Sequence, residues 1–292
     1  MQNNLKKILV TGSNGQLGNE LQRLADQYPA FSFLYTDVEQ LDMTDVDVLR
    51  SYIDLERPDW VINCAAYTAV DKAESEPELA MMVNGQAVKN LCSSLQKSGG
   101  KLMHISTDYV FDGRKRQPYR EDDMVNPVSV YGSSKLMGEK AITDAGINAL
   151  IIRTSWLYSA YGNNFVRTIL RLAKELKPLR VVNDQTGNPT YAGDLAKAIL
   201  DIISLQPSFS GSHIYNYSNE GSINWYDFAK EICRISGYET RISPVSTADY
   251  PTAATRPKNS VLEISKIKNE FGLFIPNWEK SLEHCIHVIL QQ

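Results

Sequence analysis

Lys7-Ile8-Leu9-Val10-Thr11-Gly12-Ser13-Asn14-Gly15-Gln16-Leu17-Gly18-Asn19-Glu20-Leu21 is the stretch whose reading decides the fold. A short apolar run reads as a buried strand. A glycine-rich turn follows it at once, and Glu20-Leu21-Gln22-Arg23-Leu24-Ala25 then has helical spacing. Strand, glycine turn and helix together are the context that a dinucleotide-binding loop requires. Glycines at 12, 15 and 18 allow a tight turn and close backbone approach, and the helix N-terminus offers N–H groups to a pyrophosphate. The spacing is G-x-x-G-x-x-G rather than G-x-G-x-x-G. An ordinary strand-to-helix loop is the plainer alternative.

Working outward, strands and helices alternate. Phe31 to Thr36 reads as a second strand ending in Asp37, which lies about 20 positions beyond Gly18, where a carboxylate can bond the adenosine ribose hydroxyls. Such a carboxylate favours NAD over NADP; Asp37 could equally cap a turn. Asp42-Met43 is placed at the adenine, and Val46 to Glu56 reads as a helix. Asp59 to Asn63 is a third strand running into Cys64, Ala65 and Ala66, small residues that suit a cofactor crossing the sheet edge or tight packing alone, with Tyr67 next. Pro77 to Lys97 reads as one long helix. Lys101 to Ile105 is a fourth strand ending in Ser106-Thr107-Asp108-Tyr109, and Asn148 to Ile152 is a fifth. The pattern predicts a doubly wound parallel α/β sheet of the Rossmann type over residues 1–155. Helices at 161–175, 191–204, 224–236 and 277–290, with short strands at 179–182 and 213–217, predict a smaller α/β lobe over 156–292, interleaved with the first.

Between the fourth and fifth strands lies Tyr131-Gly132-Ser133-Ser134-Lys135. On a helix, residues four apart share a face. A phenol there can donate a proton, and an ammonium one turn away would lower the phenol pKa toward a working acid–base range. Trp156 offers a stacking face or a core filler. Arg256 could bond a diphosphate or base, or form a surface ion pair.

Composition narrows the alternatives. The 292 residues are 43% hydrophobic and 22% charged, with a net charge of −4 and no basic run, which argues against nucleic acid as a partner. Cys64, Cys92, Cys233 and Cys285 form no C-x-x-C, and the four histidines make no zinc motif. Met1 to Lys7 runs straight into the first strand without a long apolar segment, so no signal peptide is expected. No apolar run reaches spanning length, so no membrane partner is expected. A cytoplasmic protein is the expectation.

Taken jointly, the glycine loop, Ala65-Ala66-Tyr67-Thr68-Ala69-Val70-Asp71-Lys72-Ala73-Glu74, Ser106-Thr107-Asp108-Tyr109-Val110-Phe111, Tyr131 with Lys135, Arg153-Thr154-Ser155-Trp156, Gly162-Asn163-Asn164-Phe165, Asn183-Asp184-Gln185 through Pro189-Thr190, and Arg256-Pro257 through Asn259-Ser260 resemble the extended short-chain dehydrogenase/reductases over almost the whole chain. Within them the chain is similar to the reductases of dTDP-linked 4-keto-6-deoxyhexoses. The resemblance implies NADPH or NADH as cofactor, held by Gly12, Gly15, Gln16, Leu17, Gly18, Asp37, Asp42, Met43, Ala65, Ala66, Tyr67, Tyr131 and Lys135. It implies Tyr131 as proton donor, Thr107 as a second donor to the ketone oxygen, and Lys135 as the ribose-holding residue. Thr107, Asp108, Trp156 and Arg256 would contact the substrate. It further implies a homodimer, with Mg2+ at a dimer contact near Glu20 and Asp194 as an added possibility. Dehydratases of this group carry an acidic pair after the threonine; here Asp108 is followed by Tyr109, which disfavours that chemistry. Another nucleotide-sugar ketoreductase or epimerase, or a non-catalytic regulatory subunit of the same fold, are the competing readings.

Overall fold

Buried β-branched and aliphatic residues alternate their direction along each central strand, and this alternation builds two helix-covered faces. The computed structural model describes residues 5–292; the reading of Met1 to Asn4 lies outside them. Six strands form the central sheet: β1 (Lys6–Thr11), β2 (Phe31–Thr36), β3 (Trp60–Asn63), β4 (Lys101–Thr107), β5 (Ala149–Thr154) and β6 (Ser212–Tyr217). Their order is β6-β5-β4-β3-β1-β2, and every pairing is parallel. The order reverses between β1 and β3, so the carboxyl ends of those strands flank the crevice where open α/β sheets bind ligands.

On one face, Ile8, Val10, Trp60, Ile62, Met103, Leu150 and Ile152 pack with α1 (Gln16–Leu24) and the helix Ala192–Ser204. On the other, Leu9, Val61, Leu102, Ala149 and Ile151 meet α2 (Val46–Glu56), α3 (Ala87–Ser98) and α4 (Val130–Ala145). Strand β6 and the helix before it lie beyond residue 155, yet they complete this sheet and its cover. A cut at 155/156 would remove an edge strand, so the interleaving runs through the sheet itself.

The long helix expected over 77–97 is interrupted. It runs as Pro77–Met81, then a π-turn at Met82–Gln86, then α3. The second lobe has its own core, in which α5 (Phe165–Lys174), α7 (Trp225–Ser236) and α8 (Trp278–Leu290) surround Tyr158, Leu179, Val181 and Tyr191, with Tyr191 standing at the start of α6, the sheet-covering helix Ala192–Ser204. Its strands are only paired ribbons, such as 242–245 with 179–182. Among the described residues no helix is long and apolar enough to cross a membrane.

Candidate active site

A cleft of about 560 Å³ opens over the carboxyl ends of β1, β4 and β5. Its lining brings Gly12, Gly15, Gln16 and Leu17 together with Thr107, Asp108, Tyr131, Lys135 and Trp156.

The glycine loop suits a dinucleotide. Gly12 sits at φ +63°, and a Cβ there would stand 2.6 Å from the Ala65 nitrogen. A Cβ on Gly18 would stand 2.4 Å from the Ser13 carbonyl oxygen, so helix and loop close tightly. Gly15 occupies the N-cap of α1 and gives the first-turn N–H groups no side-chain cap, as a helix start that binds an anion requires. Three buried polar atoms of cleft residues, Gln16 Oε1, Asp108 Oδ2 and Thr154 Oγ1, have no hydrogen-bond partner among the described residues. Such atoms in a cleft wall fit a polar ligand.

Asp37 stands beside this loop at the end of β2. Its two oxygens accept the Asn14 N–H at 3.0 Å and the Val38 N–H at 2.8 Å, so it caps the turn and ties β2 to the glycine loop. Ala66 lines the cleft and Ala65 backs Gly12. Three expected cofactor residues are not brought to the cleft by their side chains. Met43 is buried in the sheet-face core, because its position packs against α3. Asp42 is exposed and accepts the Thr44 N–H and hydroxyl. The Tyr67 phenol turns away to Glu76.

Helix α4 carries Tyr131 and Lys135 on one face. Its start is fixed by Ser129 Oγ, which accepts the Gly132 N–H at 3.1 Å, and by Glu74, which accepts the Val130 N–H at 2.9 Å. Gly132 is required there: a Cβ would sit 2.2 Å from the Tyr109 carbonyl oxygen. The Tyr109 ring meets the Tyr131 ring edge-on, with centroids 5.5 Å apart.

The electrostatics correct one expectation. Lys135 does not hold the Tyr131 phenol low. Burial pushes Tyr131 up to about 12, against a counter-pull from the Thr107 hydroxyl. Lys135 is itself buried, and its ammonium donates to the Ile105 carbonyl at 2.6 Å. Burial brings the lysine down to about 8, with Glu139 pulling the other way. Thr107 Oγ1 donates to Asp108 Oδ1 at 3.1 Å, and burial raises Asp108 to about 6.

On the facing wall, Trp156 stacks on Trp225 with centroids 3.4 Å apart and planes 9° apart, and both rings line the cleft. Trp156 has φ +47°, a left-handed conformation that favours glycine. The fit is close, since a Cβ on Gly187 would stand 2.5 Å from the Trp156 ring. Arg256 lies outside this cleft. It forms a bidentate pair with Asp71 (3.1 and 2.7 Å) and lines an adjoining depression with Arg114, Lys115, Arg116 and Lys258.

Several supporting residues had no place in the sequence reading. In the π-turn, Asn84 donates to Ser134 Oγ (2.9 Å) and the Tyr67 carbonyl (3.0 Å), while accepting the Tyr67 N–H (2.9 Å). It thereby indexes α4 against the loop after β3. The Asn84-Gly85 dipeptide inside a helical run was its available signal. Beneath Thr107, Glu139 and Arg153 form a buried pair, with Arg153 Nε donating at 2.9 Å and Nη2 at 2.7 Å. The carboxylates considered for magnesium are occupied internally. Glu20 accepts from Arg23 and Ser159, and Asp194 accepts from Asn219 and Ser281. Among the described residues no group of three or more His, Cys, Asp or Glu side chains is placed to hold a metal.

Comparison with known proteins agrees with this geometry. Residues 6–290 match the family described as RmlD substrate binding domain. A dTDP-4-dehydrorhamnose reductase from Aggregatibacter actinomycetemcomitans is 39% identical, covering 96% of this chain and 98% of that protein. The crystal structure of the Clostridium acetobutylicum dTDP-4-dehydrorhamnose reductase superposes with a TM-score of 0.93 at 40% identity, covering 98% of this chain and 100% of that one. The Bacillus anthracis dTDP-4-dehydrorhamnose reductase, in complex with NADP, gives 0.92 at 38% identity, covering 97% and 99%. With its glycine loop, its Tyr131 and Lys135 helix and its near full-length match, this chain belongs to the dTDP-4-dehydrorhamnose reductase family.

Proposed function

We propose that this chain reduces the C4 ketone of dTDP-4-dehydro-L-rhamnose to dTDP-L-rhamnose, the last step of dTDP-rhamnose synthesis. The observation that carries the reading is the convergence of Thr107, Tyr131 and Lys135 on one cleft beside the glycine loop. NADPH or NADH supplies the hydride when bound. The Tyr131 phenol, held protonated at neutral pH by burial, gives its proton to the ketone oxygen as negative charge develops there. Thr107 donates a hydrogen bond to the same oxygen. Lys135 holds the nicotinamide ribose. The Trp156–Trp225 stack offers an aromatic wall to the nucleotide sugar, and Asp108 in the cleft and Arg256 outside it are its further contacts. Residues 1–155 with β6 carry the cofactor, and the rest of 156–292 carries the substrate. The homodimer and the cytoplasmic location belong to the same reading; four free cysteines agree with a reducing compartment.

The test follows NADPH, then NADH, by absorbance with purified protein and dTDP-4-dehydro-L-rhamnose made in a coupled reaction. Substrate-dependent oxidation that yields dTDP-L-rhamnose is expected, and the two rates rank the cofactors. Cofactor binding without oxidation would reject this substrate.

A further inference from the structure

Lys135 has a neighbour that the proposed mechanism does not use. His104, on β4, is fully buried, and its Nε2 lies 3.5 Å from Lys135 Nζ. Its other nitrogen, Nδ1, faces Asn63 Nδ2 at 3.1 Å. The orientation of Asn63 is fixed independently. Its Oδ1 accepts the Ala65 backbone N–H at 3.2 Å, a donor that cannot reverse, and also the Thr11 hydroxyl at 2.8 Å. The Asn63 amide nitrogen must therefore point at His104, and Nδ1 must accept. In a neutral imidazole the proton then sits on Nε2, aimed at the lysine.

An N–H aimed at an ammonium sets donor against donor, whereas an uncharged amine could accept it. The other groups around Lys135 are Tyr131 and Glu139 on its own helix, the Cys64 thiol after β3 and the Ile105 carbonyl on β4. Glu139 favours the charged lysine, but its carboxylate is already taken up by Arg153 and Ser106. We propose that His104 is a positioning residue for the reductase: locked as the Nε2–H tautomer by Asn63, it opposes charging of Lys135 and so sets the alkaline limb of the pH profile. Burial holds His104 well below the ordinary histidine range, with Lys135 adding to the effect, in keeping with an imidazole that stays neutral.

This inference rests on the reductase reading, but one measurement is independent of activity. In protein labelled with 13C at the lysine ε-carbons, the Lys135 titration would be compared between wild type and His104→Gln, whose side-chain carbonyl can turn to accept from the amine. The Lys135 midpoint is expected to rise by about one pH unit, a tenfold change in its ionisation constant. The alkaline limb of kcat/KM should move by the same amount. An unchanged midpoint overturns the proposal, as does a shifted midpoint with an unmoved limb. Should the variant fail to fold, long-range 15N spectra of wild-type histidines decide: the Nε2–H tautomer supports the proposal, and Nδ1–H or imidazolium overturns it. A wild-type enzyme that oxidises no cofactor would sink the reductase reading, while the amine titration would still decide the coupling.

Discussion

Thr107 and Trp156 line the same cleft, yet different physics places them. Thr107 ends a parallel strand whose register against β5 is set residue by residue, Thr107 opposite Thr154. A slip of one residue would turn the buried faces of β4 inside out, so the core fixes the position of its hydroxyl. Trp156 sits just past β5 in a left-handed conformation, held by Trp225 and by a glycine that leaves room for the ring. The sheet rim is thus specified by hydrogen-bonded ladders that span the molecule. The opposite rim is specified by a few ring contacts. Chemistry needs the first kind of support, since reacting atoms tolerate little misplacement, and recognition of a nucleotide sugar can use the second.

The largest effect is expected on the sheet rim. Tyr131→Phe removes only the hydroxyl, and loss of a general acid costs about 100- to 10,000-fold in turnover. Cofactor affinity by fluorescence titration should be near wild type. Near-normal turnover would break the comparison at its root, because the ordered rim would then not be where the proton is given.

Next comes Asp108, on the same rim and 2% exposed. Burial lifts its folded-state pKa from 3.8 to about 6. The native state therefore binds more protons than the unfolded state between roughly pH 4 and 6, and stability falls as pH rises through that window. A shift of about two units corresponds to roughly 2–3 kcal/mol. Because Asp71, Asp112, Asp123 and Asp184 are held low and contribute with the opposite sign, the difference isolates this group: between pH 4.5 and 7 in urea unfolding, Asp108→Asn should gain stability relative to the wild type. A variant that keeps the full slope would assign it to another group.

A weaker effect is expected across the cleft. An aromatic stack is worth about 0.5–1.5 kcal/mol beyond its buried area. Trp156→Ala should therefore raise KM for the nucleotide sugar by up to about tenfold, with cofactor KM unchanged. A fall in turnover as large as that of Tyr131→Phe would mean that the ring wall positions the reacting atoms as strictly as the strands do.

The same contrast explains what could be read from the chain. β1 to β5, the glycine loop and the pairing of Tyr131 with Lys135 are local: each follows from period, spacing and flanking residues. The joining of 212–217 to β5 is not, because a strand of Ser-His-Ile-Tyr-Asn-Tyr shows a pattern but not its partner. The π-turn at Asn84 and the buried Glu139–Arg153 pair likewise depend on neighbours far along the sequence. The burial of the Met43 side chain in the core is of the same kind, since a residue after β2 can face solvent or core and only its packing against α3 decides. The Tyr131 pKa differs from that reading because spacing shows an ammonium one turn away but not the burial that raises the phenol.

Arg256 gives the finest test of the comparison. Its side chain is 24% exposed and that of Asp71 is 47%, so their ion pair is screened and should contribute no more than about 1 kcal/mol to stability. Both terminal nitrogens of the guanidinium already donate to that carboxylate, which leaves less of its charge for a ligand. Arg256→Gln should therefore shift the urea midpoint slightly and raise KM for the nucleotide sugar about two- to fivefold, equivalent to roughly 0.5–1 kcal/mol. Asp71→Asn frees the same guanidinium and should lower KM by a similar factor, a sign reversal that a merely structural pair would not produce. A hundredfold rise in KM for Arg256→Gln would make this cation, rather than the tryptophan stack, the anchor of the substrate side. That rim would then be organised by charge, and the order of the last two effects would invert.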